Sequence, residues 1–170
     1  VDMLLMRIMD VFLAIPATLL AIAIVAAFGG SIRNLIIALA ISMVPNMARV
    51  TRGSVMTARD QEYVEAARAI GDRKLVILFC HVLPNSLAPV IVQTTLSVAS
   101  AILITAGLSF IGLGVEAPMP EWGSLLSSGR ECIRTHGYLS VFPGVAIMLT
   151  ILSLNLLGDG LRDALDPRLK

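Results

Sequence analysis

Apolar residues run through this chain in long unbroken stretches, so the distances between charges define its elements. Asp10 and Arg33 enclose 22 uncharged residues, and Arg33 and Arg49 enclose 15. Lys74 and Glu116 enclose 41 with His81 counted as neutral, and Arg134 and Asp159 enclose 24. A hydrocarbon core about 30 Å thick is crossed by about 20 helical residues. The first, third and fourth intervals each hold a crossing. The second does so when Arg33 and Arg49 extend their charged heads to opposite interfaces. Hydrocarbon leaves only helices and closed barrels as spanning structures, and these runs lack the alternation of barrel strands. The pattern predicts an all-α, polytopic membrane protein with spans over about 11–28, 32–48, 87–110 and 141–158.

Four crossings put both ends of this stretch on one side. Arg7, Arg49, Arg52, Arg59, Arg68, Arg73, Lys74, Arg162, Arg168 and Lys170 lie on one face of the membrane, against Arg33, Arg130 and Arg134 on the other. The basic excess marks the first face as cytoplasmic. Residues 49–84 then form a cytoplasmic loop, 111–140 an external loop and 159–170 a cytoplasmic tail. Cys80 and Cys132 fall on opposite sides and cannot bridge. Gly29-Gly30-Ser31 reads as a tight external turn that makes the first two spans antiparallel neighbours. Small residues on both (Ala14, Ala17, Ala21; Ala38, Ala40, Ser42) suit close packing in lipid, and Pro16 and Pro45 are positions where a span can kink.

Composition agrees with a membrane protein. Hydrophobic residues make up 56%, charged residues 15%, and the mean hydropathy is +0.85. A water-soluble globule and a disordered chain are thereby excluded. The net charge of +1 carries no footprint for nucleic acid. The chain opens at Val1 directly in apolar sequence and reads as part of a longer membrane protein.

The loop over 49–84 is charge-dense and far longer than a turn requires. Within it, DQEYVEAARAI (60–70) places Tyr63, Ala66, Ala67 and Ile70 on one helical face. Glu62, Glu65 and Arg68 lie largely off that face, with Glu65 able to pair with Arg68 one turn on. Asp60 is placed to cap the helix at its start, and Gly71 to end it with a left-handed residue. A small apolar face centred on two alanines suits a groove on another protein, and equally a helix lying on lipid headgroups.

Glu65-Ala66-Ala67, Gly71 and His81-Val82-Leu83-Pro84 together resemble the EAA loop of ABC-importer permeases. The general pattern has Ile where this chain has His81. The variant running His81 to Asn85 is similar to the dipeptide/oligopeptide/nickel subgroup. LSFIGLGVEAPMPEWGSLLSSGR (108–130), FPG (142–144), NLLGDGLRDALDPRLK (155–170) and the opening VDMLLMRIMDVFLAIP resemble that subgroup's second permease subunit. The resemblance implies an ABC type I importer transmembrane fold, with this stretch supplying about four of six spans. It implies a helix that couples to a cytoplasmic ATPase through Glu65, Ala66, Ala67 and Gly71, with Leu83 and Pro84 marking the return into the membrane. Implied partners are a second permease subunit in a heterodimer, cytoplasmic ATPase subunits and an extracytoplasmic solute-binding protein, in the bacterial inner membrane. The implied cargo is a peptide or a related small solute such as nickel.

In the external loop, Gly112, Gly114, Pro118, Pro120, Gly123 and Gly137 predict turns around a short helix near 122–134. Trp122 suits an interface, and Ser124, Ser127 and Ser128 are candidates to meet solute. No GxxxxGK[ST], HExxH or GxSxG occurs, so the sequence offers no nucleotide, zinc-protease or serine-hydrolase site, and we expect no cofactor or metal and no enzyme activity of its own. His81 and His136 stand far apart, and His81 reads as an interfacial or packing residue. Span centres free of charge argue against a proton relay. The rival reading is a membrane-embedded enzyme or scaffold that works without an ATPase partner.

Overall fold

A computed structural model describes residues 2–115 and 118–165. Among these residues every regular element is helical: α1 (Asp2–Leu13), α2 (Ala17–Phe28), α3 (Ile32–Arg59), α4 (Glu62–Ala69), α5 (Lys74–Val76), a π-helical segment (Ile77–Val82), α6 (Leu83–Phe110), α7 (Trp122–Glu131) and α8 (Tyr138–Leu165). Three stretches are long and apolar enough to cross a membrane: Ile32–Arg59, Lys74–Phe110 and Tyr138–Leu165. The pair α1 and α2 makes a fourth when counted as one broken span.

The continuous helix expected over 11–28 is two helices meeting at 81°. Pro16 supplies the reason. It has no N–H to donate and it disfavours helical backbone at Ile15, so α1 ends in a turn, with the Ile15 N–H on the Phe12 carbonyl. Two ion pairs lay α1 along the lower part of α3. Arg49 meets Asp10 at 2.7 Å, and Arg52 grips both oxygens of Asp2 at 2.8 and 2.7 Å.

The α2–α3 turn has the form expected of Gly29-Gly30-Ser31. Gly29 sits at φ +91°. Ser31 caps α3 by accepting from the Asn34 N–H at 3.2 Å. The Asn34 amide returns to the Phe28 and Gly29 carbonyls at 2.6 and 3.1 Å. Ala21 and Val25 of α2 then pack on Leu35 and Ala38 of α3 and Leu108 of α6. Small residues at Ala21 and Ala38 let the backbones approach, which is how helices associate where lipid is as apolar as the side chains.

Helix α6 is the centre of the bundle, with α3 on one flank and α8 on the other. Gly158 of α8 sits where a Cβ would come within 2.7 Å of Thr95 Oγ1, so this glycine sets the α6–α8 approach. Helix α7 crosses the far end of the bundle. Gly123 packs on the Ala106 backbone and Gly129 on Leu139 and Ser140. Pro45, Pro89 and Pro143 lie inside helices without ending them.

The segment expected as a loop over 49–84 is mostly helix. Helix α3 runs on to Arg59, and Lys74–Phe110 is one helical run. Likewise, residues 159–165 of the expected tail continue α8, while residues 166–170 lie outside the described residues.

Candidate functional site

Helix α4 is a two-turn element held between the ends of α3 and α6. It begins at Gln61, whose extended backbone (φ −87°, ψ 151°) makes it the N-cap, without a side-chain hydrogen bond. Asp60 therefore does not cap α4 as its position suggested; it closes α3, which extends further than the polarity of its last turns implies. The C-terminus of α4 is a complete Schellman motif. The Gly71 N–H donates to the Arg68 carbonyl and the Asp72 N–H to the Ala67 carbonyl, both at 3.1 Å. Gly71 takes φ +89°, the left-handed residue expected there.

The face of α4 that meets the protein differs from the one the periodicity suggested. Val64 is fully buried and Ala67 nearly so, against Ala58 of α3 and Ile77 and Val82 of the π segment. Tyr63, Ala66 and Ile70 point outward, Ile70 at 80% exposure. Ala67 thus packs against its own chain, while Ala66 and Glu65 stand on the open side. The expected Glu65–Arg68 pair is not formed among the described residues. Val64 is the residue that sequence reasoning missed. Its partners lie on other helices, and two registers fit the same run of small apolar residues.

Leu83 and Pro84 do not interrupt the helix. Proline has no N–H and its ring crowds the carbonyl four residues back. The wider turns of the π segment lie immediately before it, with the Leu83 N–H reaching the Leu78 carbonyl. Side chains then satisfy loosened carbonyls: Asn85 donates to His81 O at 2.7 Å and Ser86 to Leu83 O at 2.9 Å. Across the helix pair, the Ser54 hydroxyl of α3 donates to the Ser86 carbonyl at 2.7 Å. These two serines carry no motif and are visible only once α3 and α6 are side by side.

Beside α4, the ends of α3, α6 and α8 enclose an open trough of about 1020 Å³. Its polar lining includes Arg49, Asn85, Gln93 and Arg162, and Tyr63 of α4 also lines it. At the opposite end of the bundle, a cavity of about 280 Å³ is lined by Ser109, Ser124, Ser127 and Ser128 with the Gly112–Val115 turn. Two of the serines singled out as solute contacts have structural bonds there: Ser124 donates to the Glu121 carbonyl at 2.8 Å and Ser127 to the Phe110 carbonyl at 2.9 Å. Glu121 accepts from the Ser109 hydroxyl at 2.6 Å and so fastens the start of α7 to α6. Trp122 is 43% exposed at that same end.

The chain is 52% identical over 170 residues to the dipeptide transport system permease protein DppC of Alkalihalophilus pseudofirmus, covering 100% of this chain and 56% of that protein. It is 52% identical over 167 residues to the di/tripeptide transport system permease protein DppC of Pseudomonas aeruginosa, covering 98% and 55%. To the glutathione transport system permease protein GsiD of Escherichia coli it is 47% identical over 169 residues, covering 99% and 56%. The chain spans about half the length of the curated relatives it matches. The resemblance to ABC-importer permeases, first carried by the Glu65–Pro84 pattern, holds over all 170 residues, and the chain belongs to the family described as binding-protein-dependent transport system inner membrane component.

Proposed function

We propose that this chain is the membrane-embedded part of an importer subunit driven by ATP that a partner hydrolyses. Its cargo is a peptide or a related small solute such as nickel; the relatives named for dipeptides, di/tripeptides and glutathione favour the peptide class. A second permease subunit completes the solute path, an extracytoplasmic binding protein delivers the solute, and cytoplasmic ATPase subunits dock on α4. Both ends of this stretch then lie in the cytoplasm.

The observation that carries this reading is the two-sidedness of α4. Its inner face is fixed by Val64 and Ala67, so a force on the helix reaches α3 and the root of α6. Its outer face offers Glu65 for a charge-assisted contact and Ala66 for close approach, framed by Tyr63 and Ile70. Closure of the ATPases on ATP draws two such helices together and tips the bundles they are rooted in. Hydrolysis reverses the movement. ATP drives the switch because it binds the closed arrangement of the ATPases more tightly than the open one.

Replacement of Glu65 by lysine tests the reading in vesicles holding the assembled importer. We expect ATP-dependent uptake to be lost while the protein remains in the membrane. Uptake at the wild-type rate would refute the role given to α4.

A further inference from the structure

Asp72 and His81 face each other across the joint between α4 and α6. His81 Nε2 lies 3.6 Å from Asp72 Oδ2. Neither residue is placed there by a loose loop. The backbone N–H of Asp72 is the last donor of the Schellman motif that ends α4, and His81 lies inside the π-helical segment, its carbonyl held by Asn85. A polar side-chain contact this exposed adds little to stability. Its position is what matters, because it joins the exit turn of α4 to the π segment at a point outside the apolar cluster.

Two connections tie α4 to the π segment: the Val64–Ala67–Ile77–Val82 cluster on one side, and the Asp72–His81 pair at the exit turn. Apolar contact is non-directional, so the cluster holds α4 against its neighbours more firmly than it resists rolling of the helix. A second, separate contact removes the roll. π-Helical turns inside longer helices are rare and concentrate at functional sites, since the wide turn lets the backbone bend without breaking the hydrogen-bond ladder. Above the turn, Ser54 holds Ser86, so the upper limb is anchored on α3.

We propose that His81 is a positioning residue for energy coupling. Paired with Asp72, it locks α4 to the π turn, so that displacement of α4 bends α6 at Ile77–Val82 instead of being spent in rolling the helix. This deepens the coupling reading of α4 and rests on it.

The test measures ATP consumed per solute imported by the complete importer in proteoliposomes, normalised to assembled complex. We expect His81→Gln and Asp72→Asn each to raise that ratio about fivefold, the low end of typical coupling factors. Their combination should be no worse than either alone, as for two partners in one contact. His81→Arg, which keeps an N–H donor facing the carboxylate, and the exchanged pair Asp72→His with His81→Asp should restore it. A change acting only through folding would lower the amount of complex, and the exchange would not rescue the ratio. An unchanged ratio in His81→Gln, or an exchanged pair no better than the single variants, overturns the proposal. Ala66→Trp on the outer face of α4 is run beside them. If it leaves uptake intact, the coupling reading itself fails; if it abolishes uptake while His81→Gln keeps the normal ratio, only the role of the pair fails.

Discussion

At Gly71 the backbone sits at φ +89° with open space where a side chain would project. Any penalty for substitution there is conformational. An L-residue in the left-handed region costs about 1–2 kcal/mol, and a β-branched residue stands at the upper end. Gly71→Val should therefore loosen the end of α4, seen as faster hydrogen exchange at Ala67–Asp72 and weaker co-purification of the ATPase subunits; wild-type exchange would contradict this. Gly158 is constrained by space instead. Its missing Cβ would meet Thr95 Oγ1 at 2.7 Å, a hydroxyl already donated to the Val92 carbonyl. Gly158→Ala should destabilise the α6–α8 contact by about 2 kcal/mol in thermal unfolding, and adding Thr95→Ala should recover most of it. Of these two glycines, the role of Gly71 was legible in the sequence, because a left-handed helix end has a residue signature. That of Gly158 was not, since it depends on which helix lies opposite.

Among the elements, α4 joins what the sequence shows to what only packing decides. Its existence follows from a short apolar period, and its end from Gly71. Its start shifts by one residue, from Asp60 to Gln61, because α3 continues through charged turns to Arg59. Its inward face turns from Tyr63, Ala66, Ala67 and Ile70 to Val64 and Ala67, because the hydrophobic partners Ala58, Ile77 and Val82 come from both neighbouring helices. Val64→Ala removes about two buried methyl equivalents and should cost about 2 kcal/mol of local stability, leaving Glu65 and Ala66 chemically intact. Hydrogen exchange over α4 should rise more than over α6, where the Ser54–Ser86 bond is untouched. Equal protection in the variant would show that α4 is not held from behind by this cluster. The break at Pro16 and the continuity through Pro84 teach the complementary lesson. Proline marks where a helix is stressed, and its surroundings decide whether the stress is released by a bend of 81° or absorbed in a π turn.

On the scale of the whole molecule, the basic residues and the topology agree on one end. The C-terminal parts of α3 and α8, the beginning of α6 and all of α4 gather at the end rich in arginine and lysine, beside the trough that Arg49 and Arg162 line. Helix α7 and the serine-lined cavity sit at the other. The two free, exposed cysteines report on this arrangement: Cys80 lies in the π segment and Cys132 directly after α7. A membrane-impermeant thiol reagent added to intact cells should label Cys132 and spare Cys80, and inside-out vesicles should reverse the pattern. The membrane class and the helical character of the apolar runs were legible in the charge spacing alone. The 81° bend, the trough and the lateral order of helices were not, because lipid-facing and protein-facing residues are equally apolar and composition does not separate them.

In the proposed mechanism, α4 is a rigid handle moved by a neighbour that consumes nucleotide. A photo-reactive amino acid at Ala66, on the open face of α4, tests it most directly in membranes holding the complete importer. We expect an adduct with a cytoplasmic ATPase subunit whose yield changes when ATP is added. Adducts with phospholipid alone, in every nucleotide state, would contradict it.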